Sequence, residues 1–389
     1  SAAIAADPLG NLDYEDFIAG GDAGFEWQPP ADEFDAICLN YTSGTTGKPK
    51  GVMLTHRNVV SDVKAVLERI APTAQDVFLS FLPLSHTFER TGGYYLPIAA
   101  GSCVAYARSV PLLAEDLRTV RPTVLVSVPR IYERIHAKVQ EKLSRSPWKM
   151  QLYEAAQSKG WAHFCAAQGL PAPAPDDAKA AGWMAALPWP LLRALVAAPL
   201  MAQFGGRVRV AVSGGAPLSP TIAKCFLGLG LPLIQGYGMT ETSPVVSVNA
   251  PEDNDPACVG RALPGVGVLV VDDHGQASPQ GDAGHVEVHG PNVFKGYLGM
   301  PDKTREAFTA DGWFRTGDVG RIELGHVRYV EPAAVQVAGA DLHQAGHRHF
   351  FNFAELAEVD FRNRWNAAAG GGAGSRCGLG FLQLLFDEQ

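Results

Sequence analysis

Short apolar runs alternate with longer amphipathic stretches from Asp35 onward, and this alternation limits the chain to few architectures. Residues 36–41, 77–82, 102–107, 123–128, 208–213 and 231–235 read as buried strands bounded by Gly, Pro or polar turns. Residues 57–70, 113–120, 130–143 and 220–229 carry helical periodicity between them. In the first, Thr55 is the expected N-cap, with Val59, Val60, Val63, Val66, Leu67 and Ile70 along one side. Strand–helix alternation predicts an α/β fold, doubly wound around largely parallel sheets, with ligands at the carboxyl ends of the strands.

The organisation changes along the chain. Residues 1–30 form a lead-in, and 31–245 the α/β core, interrupted by a mostly helical insertion over 144–206. From 246 to 320, β-like segments at 266–271 and 285–289 follow one another with no long helix between them, predicting a small β-rich subdomain. Residues 321–389 form an atypical tail, rich in Ala and Gly over 367–374 and in His and Arg, that reads as disordered or frame-altered.

At 389 residues and 47% hydrophobic, the chain has material for several cores. Its net charge of -8 argues against a nucleic-acid partner, which needs a basic face. Six scattered cysteines with no C-x-x-C pair predict reduced thiols and a cytoplasmic protein. The longest apolar stretch, within 183–204, is broken by Arg193 and three prolines. It falls short of the roughly 18 apolar residues of a membrane span and stands either as a buried helix or as a peripheral membrane contact.

The densest chemistry lies in YTSGTTGKPKG at 41–51. Its glycines allow tight turns that converge backbone N–H groups on an anion, while Thr42, Ser43, Thr45, Thr46, Lys48 and Lys50 add donors and charge. The set suits a polyphosphate. It lacks Walker A spacing.

This loop resembles the phosphate-binding motif of the acyl-adenylate-forming (AMP-binding) superfamily. LPLSH at 82–86, SGGAPL at 213–218, QGYGMTET at 235–242, Gly296-Tyr297 and TGD at 316–318 follow in the family's order. Within the family, VPRIYER at 128–134 and FLPLSHTFER at 81–90 look like long-chain fatty acyl-CoA synthetases.

The resemblance implies ATP-dependent activation of a fatty acid through an acyl-adenylate, then transfer to coenzyme A. It makes Thr42, Ser43, Gly44, Thr45, Thr46, Gly47 and Lys48 the phosphate cradle, with Thr45 and Thr240 at the reacting phosphate. Glu241 becomes the Mg2+ ligand, consistent with the preference of that hard cation for oxygen. Gly214, Gly215, Ala216 and Pro217, with Gly236, Tyr237 and Gly238, become the adenine seat, and Asp318 the acceptor of the ribose hydroxyls. His86 is placed near the acyl carboxylate, and stands equally as a structural histidine after a strand. An aryl- or amino-acid adenylating enzyme and a non-catalytic nucleotide- or acyl-binding remnant remain as alternatives.

Family members continue beyond TGD into a small C-terminal domain carrying a catalytic lysine. The last lysine here is Lys303. The expectation is a chain truncated at both ends that binds ATP and forms adenylate poorly.

Overall fold

The computed structural model describes residues 13–26, 28, 30–42, 49–173 and 186–329. Its strands are β1 (Ala36–Thr42), β2 (Lys50–Thr55), β3 (Val77–Ser80), β4 (Cys103–Tyr106), β5 (Val124–Ser127), β6 (Val210–Ser213) and β7 (Leu233–Gly238). They continue with β8 (Val245–Val248), β9 (Arg261–Ala262), β10 (Gly267–Val271), β11 (Gly284–His289), β12 (Gly296–Tyr297), β13 (Phe314–Glu323) and β14 (His326–Tyr329).

Strands β4-β3-β5-β6-β7 pair in parallel and in that order. Successive side chains along them enter opposite cores, as period-2 geometry requires. Phe78, Val124, Val210, Val212 and Ile234 join Val63, Val66, Ile70 and Leu96 on one face. Leu79, Leu125, Ala211 and Leu233 meet Leu117, Tyr132, Leu143, Tyr153 and Phe226 on the other. Burial on both faces of β3, β5, β6 and β7 explains why they read as continuous apolar runs, whereas β4, expected to be buried, lies at the sheet edge with Cys103 and Tyr106 exposed. From β7 the sheet continues antiparallel through β8, β9, β14, β13, β11 and β10. It thus takes in Arg321–Tyr329, within the stretch assigned to the tail; residues 330–389 lie outside the described residues.

The helix His56–Ile70 begins on a reciprocal cap. Asn58 N–H donates to Thr55 Oγ1 at 3.1 Å, and Thr55 N–H to Asn58 Oδ1 at 2.9 Å. Val59, Val63, Val66 and Ile70 are buried, but Val60 faces solvent because it falls off the stripe set by the others. The insertion is helical at Pro147–Gln168 and again from Trp189 to Ala202. At Gly160 and Gly228 the long helix and Pro220–Gly228 touch backbone to backbone: a Cβ on Gly160 would lie 1.7 Å from the Gly228 carbonyl oxygen.

Leu192, Val196, Leu200 and Phe204 pack into the same core, so within 186–204 the apolar stretch is a core element with Leu191 and Leu195 exposed. Trp183 lies outside the described residues. Among the described residues no helix is long and apolar enough to cross a membrane.

Strand β1 departs from the expected buried parallel strand. It pairs antiparallel with β2 in a separate sheet of order β1-β2-β12, and Ile37, Leu39 and Tyr41 on its outer side are exposed. The glycine-rich segment therefore follows an antiparallel pair whose last described partners are Thr42 and Lys50. Strand β2 was hidden in the sequence because its Gly-Val-Met-Leu run abuts the loop and leads straight into the Thr55 cap.

Candidate active site

The sheet order reverses between β3 and β5: β4 lies to one side, β5, β6 and β7 to the other. Turns leaving the carboxyl ends of neighbouring strands at such a switch point diverge and leave a crevice. A cavity of about 60 Å3 lies there, lined by His86 after β3, Val126 of β5, Ser213, Gly214 and Gly215 after β6, and Gly236, Tyr237 and Gly238 of β7. Apolar side chains also line it: Val66, Ile70, Leu96, Val124, Val212 and Val248.

His86 caps the short helix Thr87–Glu89, and its Nδ1 accepts the Phe88 N–H at 3.1 Å. That bond leaves the ring proton on Nε2. Burial lowers the His86 pKa to about 4, so the ring is a neutral donor at the cavity wall. Glu89, one turn on, is buried and accepts the Ser80 hydroxyl at 2.6 Å. Burial pushes its carboxyl up to about 7, with the Ser80 bond opposing.

After β7 the chain turns tightly. Gly238 is required there, since a Cβ would lie 1.9 Å from the Pro244 carbonyl oxygen. Thr240 and Glu241 follow in the buried turn Thr240–Thr242, which is anchored by Thr242 Oγ1 donating to the Pro244 carbonyl at 2.6 Å. The Phe294 N–H donates to the Glu241 carbonyl at 2.9 Å, and the Tyr297 hydroxyl to Glu241 Oε1 at 3.0 Å. Lys50 Nζ sits 4.4 Å from the centre of the Tyr297 ring. Burial raises the Glu241 carboxyl above its usual range, while the Tyr297 bond and the Lys50 charge pull it back. Across the site, Tyr237 donates its hydroxyl to Asp318 Oδ2 at 2.6 Å. Burial pushes Asp318 up to about 6 against that bond, and the nearby Glu241 charge adds to the rise.

The fold therefore brings together His86, Gly214, Gly215, Gly236, Tyr237, Gly238, Glu241 and Asp318, with Thr240 in the same turn as Glu241. Thr42, at the end of β1, donates its Oγ1 to the Lys50 carbonyl at 3.4 Å. Ala216 and Pro217 do not line the cavity, and Pro217 is exposed. Ser43, Gly44, Thr45, Thr46, Gly47 and Lys48 lie outside the described residues. Sequence reading had counted Lys50 only as loop charge and Tyr297 only as part of a motif. The signal available was Tyr297's β12 setting beside β2, which no local pattern reveals.

The AMP-binding enzyme family matches residues 3–298 of the chain. The chain belongs to that family.

Among curated AMP-binding relatives, fatty acyl-CoA synthetase A of Dictyostelium discoideum is 34% identical over 296 residues, covering 74% of this chain and 41% of that protein. Human long-chain-fatty-acid–CoA ligase 6 is 36% identical over 301 residues, covering 75% and 40%. The crystal structure of ATP-bound MatB from Rhodopseudomonas palustris superposes with a TM-score of 0.60 at 30% identity, covering 81% of this chain and 51% of that one. The chain thus spans about two fifths of the length of these curated AMP-binding relatives. The α/β fold, whose large mixed sheet is parallel over β4-β3-β5-β6-β7, agrees with the expected class.

Proposed function

We propose that this AMP-binding chain activates a fatty acid, of long-chain type, with ATP. The observation that carries the reading is the cavity whose lining joins His86 and the motif residues Gly214, Gly215 and Tyr237 to apolar side chains such as Val66, Ile70 and Leu96. An acyl chain laid in it gains about 0.8 kcal/mol per buried methylene. Its carboxylate then meets the His86 Nε2–H beside the nucleotide motifs.

In this reading Tyr237 and the Gly214–Gly215 backbone flank the adenine, with Ala216, Pro217, Gly236 and Gly238 shaping the seat. Asp318 accepts the ribose hydroxyls, while Thr42, Ser43, Gly44, Thr45, Thr46, Gly47, Lys48 and Lys50 cradle the phosphates. The fatty carboxylate oxygen attacks the α-phosphorus, the bond to the β-phosphate oxygen breaks, and pyrophosphate leaves. Positioning and charge neutralisation carry such a step. Thr240 hydrogen-bonds the α-phosphate.

A buried, oriented carboxylate facing phosphate oxygens is the donor set that suits Mg2+, and Glu241 fits that role. Bound Mg2+ would neutralise charge on the phosphates. Transfer to coenzyme A belongs to the whole enzyme in this proposal.

Pyrophosphate exchange into ATP tests the reading. It is expected with hexadecanoate and absent with benzoate or amino acids. Exchange with an aryl or amino acid alone would replace the fatty substrate. Absence of exchange with every acid, with ATP binding intact, would favour a binding remnant.

A further inference from the structure

Glu241 is held at two points by one short segment. The Phe294 N–H fixes its carbonyl and the Tyr297 hydroxyl its carboxylate. The segment is itself tightly placed. Lys295 N–H donates to the Met53 carbonyl at 3.0 Å and Leu298 N–H to the Gly51 carbonyl at 2.8 Å, laying β12 along β2. Tyr297 N–H donates to Thr304 Oγ1 at 2.9 Å. The Tyr297 ring packs edge-on against Phe294 at 4.8 Å, and Phe294 stacks on Phe308 at 5.5 Å.

The same ring carries Lys50 over its face at 4.4 Å. One side chain therefore touches both the carboxylate that leaves β7 and the lysine that opens β2. A phenol does this with two separate parts, its O–H on the anion and its π face on the cation. Direct pairing of Lys50 with Glu241 would cancel both charges; the interposed phenol keeps each available for a ligand bearing phosphate and a divalent cation.

We propose that Tyr297 is a positioning residue that holds Glu241 by its hydroxyl and Lys50 by its ring, presetting both for a magnesium–nucleotide. The inference rests on the nucleotide reading of the site and adds to it a residue acting through others.

Calorimetric titration of ATP, with Mg2+ and again in EDTA, separates the two halves of the role. In Tyr297→Phe the ring stays under Lys50 and only the hydroxyl is lost. Affinity in EDTA is expected to stay within about twofold, while the gain from Mg2+ falls about tenfold, the scale of one hydrogen bond to a charged group. Tyr297→Leu removes the ring as well and is expected to weaken binding in EDTA too. In a Glu241→Gln background, where the carboxylate for Mg2+ is gone though the amide oxygen still accepts the Tyr297 hydroxyl, Tyr297→Phe is expected to lower the Mg2+ gain no further. An unchanged Mg2+ gain in Tyr297→Phe, or an equal loss with and without Mg2+, would overturn the inference while leaving the nucleotide reading intact. A full additional loss in the Glu241→Gln background would overturn it as well. Failure of the unsubstituted chain to bind ATP under either condition would overturn the nucleotide reading itself, and this inference with it.

Discussion

Tyr237 and Asp318, 81 positions apart in sequence, share a buried 2.6 Å hydrogen bond that joins β7 to β13. The tyrosine supplies one donor to a carboxylate that can accept several. Tyr237→Phe leaves Asp318 buried without that donor, a loss of about 1–3 kcal/mol of stability. If ribose hydroxyls also donate to Asp318, ATP restores part of the loss. The expected result is a lower melting temperature without nucleotide and a larger ATP-induced rise than in the parent chain. Equal ATP-induced rises in the two proteins would remove Asp318 from the ribose site.

Glu89 gives the fold a defined pH response. Its ordinary value of 4.5 rises to about 7 on burial. Below the lower value the carboxyl is neutral folded and unfolded. As pH climbs toward the higher value, the unfolded chain releases this proton while the folded chain keeps it, so stability falls. Glu89→Gln keeps an acceptor for Ser80 and removes the titration. Unfolding free energies from urea titrations at pH 5 and pH 8 are expected to differ less for the variant, by an amount on the order of a few kcal/mol at most. Parallel pH profiles for the two proteins would contradict this assignment.

The parallel sheet was legible in sequence because strands buried on both faces announce themselves as unbroken apolar runs, as 124–127 and 210–213 do. The outer sheet was not. Strand β1 also reads as a mostly apolar run, yet its face with Ile37, Leu39 and Tyr41 is exposed, a distinction set by the neighbours that cover each side. Val60 failed for a related reason, since helical phase decides which of two adjacent valines is buried. Motif residues met in one site because each ends a strand or opens a turn. Tyr297 acquired a candidate role only through pairing between β12 and β2, separated by some 240 residues of chain.

Asn58 joins the helix cap to the site's supporting loop. Besides its capping bonds with Thr55, its Nδ2 donates to the carbonyls of Pro291 at 2.8 Å and Val293 at 2.7 Å. Thr55→Ala removes one cap bond and is expected to cost about 1 kcal/mol. Asn58→Ala removes the reciprocal cap bond and orphans two carbonyls beside Phe294. Its expected cost is larger, about 2–4 kcal/mol. Denaturant unfolding of the two variants checks the ranking, and a smaller loss for Asn58→Ala would refute it.

Val212 faces the cavity from β6, two residues before Gly214. Replacing it with Phe puts a ring into the cavity, at an overpacking cost of about 1–3 kcal/mol. Val212 neighbours Ser213 and Gly214 in the same lining, so ATP binding is followed in parallel. Octanoate is expected to stabilise Val212→Phe against heat nearly as well as it does the parent chain. Hexadecanoate is expected to lose most of its effect, since each methylene excluded forfeits about 0.8 kcal/mol. The ATP-induced rise in melting temperature is expected to stay unchanged, which separates a filled acyl seat from a damaged fold. Equal loss of response to both acids would move the acyl chain out of this cavity, and unaltered preference for hexadecanoate would do the same.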